Sequence, residues 1–254
     1  MKKGSYEFAC ARLQQMIDAA KPKSADKSGG ALDAWRQAAS YAAYLLGHGH
    51  DSTIYCQASL GKALVEVGSY YEAVQLLSAV LAQTETDNLR CHNSVELMHQ
   101  CLARAHQGLG DDQKGYEHWL RAAQISQEKR QLVHGTTVYC YHQAARALAR
   151  MLRFDEALKL FKLVYQIDRE LFGDHIHTAY ASRDLAICLN HKRRFKRSLF
   201  FWREASALMQ QFLQTDDCVR RKVERSHLWT LNKVRQERYA ERQARLSTLG
   251  SAAA

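Results

Sequence analysis

The residues best placed to do chemistry lie in the stretch Phe172–Thr178, FGDHIHT, where His175 and His177 stand one residue apart and Asp174 precedes them. Imidazole nitrogens beside a carboxylate are how many metal sites begin. A site needs three or four ligands converging on the ion, however, and these two histidines supply only two. The stretch also recurs. HDST begins at His50, HNSV at His92, HGTT at His134 and HIHT at His175, at spacings of 42, 42 and 41 residues. Only the first histidine repeats; His177 occupies the place held elsewhere by Ser52, Ser94 and Thr136. A side chain that returns at a fixed period marks a structural position. Ser and Thr hydroxyls accept a bond from the orphan N–H groups that open a helix, so each H-x-S/T predicts a helix start, with the Ser or Thr as its cap.

The elements that position these residues follow from the same period. Aligned on the histidine, each copy reads as two amphipathic helices joined by a tight turn. In the first helix, one column holds Leu60, Leu102, Ala144 and Leu185, and the next holds Gly61, Ala103, Ala145 and Ala186. Three residues on stand Leu64, His106, Leu148 and Leu189. After the turn come Tyr70, Asp112, Phe154 and Phe195, then the small Ala73, Gly115, Ala157 and Ser198, then the bulky Leu77, Trp119, Phe161 and Trp202. Apolar residues at this spacing make one helix face, and small residues let two backbones approach. No such pair buries its face alone, so neighbouring pairs stack.

The pattern predicts three segments. Residues 1–50 form an atypical N-terminal helix pair, SYEFACARLQQMIDAA and ALDAWRQAASYAAYLL, separated by the polar loop KPKSADKSGG. Residues 51–215 hold four repeats, and 216–254 form a long basic helix and tail, with Val219, Val223, Leu231 and Val234 covering the last repeat. A single proline, Pro22, favours helix almost throughout.

Catalytic signatures are absent: the sequence has no GxSxG, no P-loop, no HExxH and no glycine-rich phosphate loop. We expect no enzyme, no cofactor, no bound metal and no small-molecule substrate. The seven cysteines form no CxxC and read as small packing residues in a reducing compartment. His92, His99 and His106 are spaced by sevens, but His106 falls in a packing column and the set reads as structural. No run reaches the roughly 18 apolar residues of a membrane span, so no membrane partner is expected. The N-terminus lacks a signal peptide's apolar core; cytoplasm is the expected location, with an amphipathic mitochondrial presequence as the alternative.

The net charge of +10 is uneven. Residues 1–50 carry +3, 51–134 carry −3, 135–215 carry +6 and 216–254 carry +4. Such a field suits acidic partners: protein surfaces, or RNA phosphates as the alternative.

The large–small pair Leu60-Gly61, the turn aromatics Tyr70 and Phe154, and the Ala73 and Phe161 columns resemble the tetratricopeptide repeat family. FDEALKLFKLVYQIDRELFGDHIHTAYASRDLA, with its period of 42 and its G-D-H before the next helix, is similar to the kinesin light chain type of repeat. The resemblance covers about residues 28–213. It implies an all-α, right-handed superhelical solenoid of helix pairs with a C-terminal capping helix. It also implies a protein-binding scaffold whose first helices line an inner groove. Kinship with kinesin light chains implies a cytoskeletal setting, microtubule or cilium, where tubulin is an acidic partner. The columns facing away from the small residues then give the groove: Tyr55, Lys62, Gln100, Arg104, Tyr139, His142, Arg146, Tyr180 and Arg183. Tyrosines interleaved with cations suit an acidic, partly apolar peptide. A second candidate is the basic corner of HKRRFKR, with Lys192, Arg193, Arg194, Lys196 and Arg197 pointing outward.

Overall fold

Within each predicted pair the chain must reverse in a few residues, and it does so the same way four times. Ser69 N–H bonds to the carbonyl of Leu64, Asp111 to His106, Arg153 to Leu148 and Arg194 to Leu189, each at 2.9 Å. The residue before each donor has a positive φ: Gly68 at 84°, Gly110 at 83°, Leu152 at 61° and Arg193 at 55°. That residue's own N–H bonds back to Val65, Gln107, Ala149 or Asn190. These paired bonds satisfy carbonyls that a helix end leaves open, and the left-handed residue makes the reversal possible. The second residue after it then begins the next helix.

The computed structural model describes residues 3–23, 30–86, 92–130 and 134–252, and it is helical nearly throughout. Helices α1 (Lys3–Lys23), α2 (Gly30–Leu46), α3 (Asp51–Glu66), α4 (Tyr70–Thr86), α5 (His92–Gly108), α6 (Asp112–Arg130) and α7 (Gly135–Arg150) come first. They are followed by α8 (Phe154–Phe172), α9 (Ile176–His191), α10 (Phe195–Phe212) and α11 (Cys218–Ala252). Among the described residues no strand occurs and no helix is long and apolar enough to cross a membrane. Part of the expected loop KPKSADKSGG, and Cys91, lie outside the described residues.

The chain divides into two compact units, Met1–Ala147 and Leu148–Ala254. In the first, each helix packs on the next from α1 to α6, and α3 also meets α5. Thr137 Oγ1 meets Ser126 Oγ at 2.9 Å and the Tyr141 hydroxyl donates to Gln127 at 2.6 Å, tying α7 to α6. One core gathers Leu13, Ile17, Ala31, Trp35 and Ala38 from α1 and α2; a second gathers Ile54, Leu64, Leu77, Met98 and Leu102 from α3 to α5. In the second unit α8, α9, α10 and α11 pack in order, around Ala186, Trp202, Ala205, Met209 and Val223.

The small columns do what their size allows. A Cβ on Gly61 would lie 2.4 Å from the Leu77 side chain, which is fully buried. In the second unit Ser198 donates to the carbonyl of Ala186 at 2.8 Å, small residue against small residue. The turn column behaves differently from expectation. Phe195 reads as buried in sequence, yet Tyr70, Phe154 and Phe195 are all half-buried. A turn aromatic has a neighbour on one side only: Tyr70 lies against Gly108, Phe154 stacks on His191 at 4.5 Å, and Phe195 meets Trp229 edge to face at 5.8 Å.

The repeating histidine opens a helix, as predicted, but the identity of the cap is corrected. His50 has extended backbone angles and its own ring accepts from Ser52 N at 3.1 Å. His134 accepts from Thr136 N at 3.2 Å and His175 from His177 N at 3.3 Å, each through Nδ1. At these three positions the histidine is therefore the N-cap, and the residue two on, Ser52, Thr136 or His177, is the donor through its backbone. This explains why His177 can replace a hydroxyl residue there: only its N–H is used. Imidazole Nδ1 can accept only while its proton sits on Nε2.

Candidate functional site

The side chains expected to face a groove separate into a first-unit set and a second-unit set. In the first unit, helical spacing sets Lys62 on α3, Gln100 and Arg104 on α5, and Tyr139, His142 and Arg146 on α7. Arg104, Tyr139 and Arg146 are exposed, and Lys62, Gln100 and His142 half-buried. Burial pushes the Tyr139 phenol up, and the neighbouring charges of Arg104 and Arg146 pull it back, so α5 and α7 bring these three groups together. Lys62 lies 3.8 Å from Glu66. Gln100 donates to Glu96 at 3.1 Å, and Glu96 in turn is nearly buried and paired with Arg130.

The tyrosines have a second duty. Tyr139 meets Trp119 edge to face, 5.7 Å between centroids, and Tyr55 meets Trp35 in the same way at 5.9 Å. Tyr55 and Tyr139 thus each seal the bulky residue of the preceding helix and offer only part of the ring to solvent.

In the second unit, Arg183 is not a free cation. Its guanidinium stacks over the Tyr180 ring at 5.0 Å and Nε donates to the buried carboxylate of Asp184 at 2.7 Å. Beside it lies a knot that the sequence did not announce. Glu204 accepts from Ser182 at 2.6 Å and from Tyr165 at 3.0 Å, with Arg169 at 3.4 Å. Burial and Glu204 push the Tyr165 phenol up to about 12.

At the basic corner Arg193, Arg194, Lys196 and Arg197 are exposed. Lys192 differs: it is half-buried and bonded to Asp155, whose carboxyl it holds below the usual range. Lys196 pairs with Glu241 of α11 at 2.9 Å. Arg193, Arg194, Lys196 and Arg197 rim an open cleft of about 750 Å³ with Glu237 and Glu241.

Four cysteines and a group of histidines lie in packed surroundings. Burial pushes the thiol of Cys56 to about 11 and those of Cys101, Cys140 and Cys188 to about 12. His99 and His118 meet Nδ1 to Nδ1 at 2.9 Å, and His106 stacks on His118 at 5.5 Å. Among the described residues no group of three or more His, Cys, Asp and Glu side chains is arranged to hold a metal.

No curated protein matches the chain in sequence. The tetratricopeptide repeat family profile matches residues 136–211, which span α7 to α10. Among solved structures, the nearly identical TPR-like repeats of a kinesin light chain candidate from Podosopora anserina superpose with a TM-score of 0.69 at 22% identity, over 80% of this chain and 98% of that one. BtubC (BKLC) from P. vanneervenii gives 0.64 at 14% identity, over 94% of this chain and 92% of that one. The MamA protein gives 0.57 at 14% identity, over 81% and 96%. Residues 136–211 match the tetratricopeptide repeat family, and the chain as a whole has an all-α fold of stacked helix pairs similar to that of kinesin light chain repeat structures.

Proposed function

We propose that this chain is a non-catalytic scaffold that holds an acidic segment of a partner protein against its inner helices, within a cytoskeletal assembly of the cytoplasm. The observation that carries this reading is the placement of the exposed Arg104 and Arg146 near enough to the exposed Tyr139 for their charges to act on its phenol. Guanidinium groups fork onto carboxylates, and a tyrosine already fixed by Trp119 adds contact area at low entropic cost. The similarity of the helix pairs to kinesin light chain structures supports the cytoskeletal setting, with tubulin as an acidic candidate. The test is crosslinking and affinity purification from native lysate, with and without nuclease, followed by microtubule co-sedimentation. Protein partners that survive nuclease, crosslink near Lys62 and are lost in R104E/R146E support the reading. Partners that vanish with nuclease replace it by RNA binding at the basic corner of Arg193, Arg194, Lys196 and Arg197, where the exposed charge is densest.

A further inference from the structure

The second unit contains a cleft apart from the groove columns and the exposed cations of the basic corner. It lies between α9, α10 and α11, measures about 680 Å³, and is lined by Ile187, Asn190, Trp202, Lys222, Arg225 and Trp229, with His191 and Ser226 beside them. Its size is that of pockets that take a ligand or a short stretch of chain.

Two buried polar atoms on these lining residues have no partner: Asn190 Oδ1 and Trp202 Nε1. Trp202 is only 2% exposed. The Asn190 amide is oriented by its surroundings. Thr230 Oγ1 donates to the carbonyl of Ser226 at 2.8 Å, so its lone pair receives Asn190 Nδ2 at 2.8 Å. That leaves Oδ1 as the idle acceptor. Buried donors and acceptors are almost always paired, because leaving one unpaired forfeits its hydration. One idle acceptor and one idle N–H donor complement the N–H and C=O of a peptide.

The charge of the cleft is likewise unanswered. Lys222 and Arg225 are exposed, and no carboxylate is among the lining residues. The one acidic residue on the same stretch of α11, Glu224, turns instead to Arg220 at 3.0 Å and Gln210 at 3.4 Å. Arg225 makes only a 3.4 Å contact to the carbonyl of Arg221.

We propose that this cleft is a docking site for an extended acidic segment of a partner protein. Backbone N–H and C=O groups of the segment pair with Asn190 Oδ1 and Trp202 Nε1, and neighbouring carboxylates meet Lys222 and Arg225. The inference rests on the scaffold reading but places a site on the C-terminal helix, apart from Arg104 and Arg146.

The probe is an end-capped hexapeptide of five glutamates and one leucine, titrated against the full chain by fluorescence anisotropy and by the four indole N–H resonances in NMR. The Trp202→Phe variant assigns its resonance by removing it. The expected result is saturable binding that moves the Trp202 indole signal. Binding should weaken at least about tenfold in K222E/R225E and about tenfold in W202F. It should be lost with the same peptide N-methylated throughout, which keeps its charge but not its N–H donors. Equal binding of the methylated peptide overturns the amide assignment. Binding that survives K222E/R225E and falls in R104E/R146E overturns the cleft and leaves the scaffold reading standing. So does absence of binding at millimolar peptide while crosslinked protein partners persist. Oligouridylate of equal charge that moves the Trp202 signal where the peptide does not would replace the protein ligand by RNA.

Discussion

Trp119 and Tyr139 meet edge to face, 5.7 Å between ring centroids, and Trp35 and Tyr55 make the same contact at 5.9 Å two repeat periods earlier. A residue chosen for a binding surface is therefore also a seal on the core. Tyr139→Phe keeps the ring contact, so thermal stability should change by less than about 0.5 kcal/mol. Tyr139→Ala removes it and should cost about 1–3 kcal/mol, read by urea titration of the whole chain. If the phenol itself meets a partner, Tyr139→Phe weakens crosslinking without loosening the fold.

The histidine caps make a prediction that separates ring from hydroxyl. His50→Ala and His134→Ala should each destabilise by about 0.5–2 kcal/mol, because each leaves a helix-opening N–H unpaired. Ser52→Ala should leave stability nearly unchanged, since Ser52 contributes its backbone N–H to the cap. His50→Asn, with a shorter acceptor in the same place, should recover most of the loss. A large cost for Ser52→Ala with none for His50→Ala would show that the hydroxyl, not the ring, caps the helix.

Leu152 at φ 61° and Arg193 at φ 55° hold the left-handed position that glycine fills at Gly68 and Gly110. An L side chain there costs roughly 1–2 kcal/mol. Leu152→Gly and Arg193→Gly should therefore raise stability by up to about 1 kcal/mol, once the greater freedom of glycine in the unfolded chain is subtracted. Leu152 is mostly exposed, so its side chain forfeits little packing. Retaining Arg193 at a strained position of the basic corner fits a use for its charge. The expected signature is a more stable but weaker-binding Arg193→Gly variant.

Burial lowers His99 from its ordinary 6.5 to about 4, with the neighbouring His118 and Arg121 charges acting the same way. Burial also lowers His106 and His118. A group with a depressed folded pKa takes up its proton more readily when unfolded, so its contribution is whole above 6.5 and is lost as pH falls toward about 4. Hydrogen exchange on α5 and α6 should therefore quicken, after correction for intrinsic rates, between pH 6.5 and 4. His99→Gln should flatten that dependence. An exchange profile unchanged across this window would mean that the His99–His118 contact does not control local opening.

The repeat was legible because it obeys burial. The columns of Leu102, Ala103 and Trp119, or of Leu185, Ala186 and Trp202, recur with the period of the helix pair, and all of these side chains are buried. The start of each described helix after a repeating histidine was legible for the same reason, although the choice of Ser or Thr over His as cap was not. Propensity favours hydroxyls, and nothing in the sequence says that an imidazole will turn back on the N–H two residues ahead. The Schellman turns were half visible: Gly68 and Gly110 are ordinary signals, while Leu152 and Arg193 adopt the same angles only because the helices on both sides require the reversal.

What the sequence determined by itself is the architecture. Amphipathic faces that cannot be buried alone force helix pairs to stack, and the spacing of small and bulky residues sets which faces meet. What only the tertiary structure decided is which polar groups are spent and which remain. Lys192 is taken by Asp155 and Arg183 by Asp184. Asn190, Trp202, Lys222 and Arg225 come from three helices to one cleft, two of them with an idle polar atom. Pairing depends on distances of a few ångströms between residues far apart in the chain, and those distances exist only once the helices have packed.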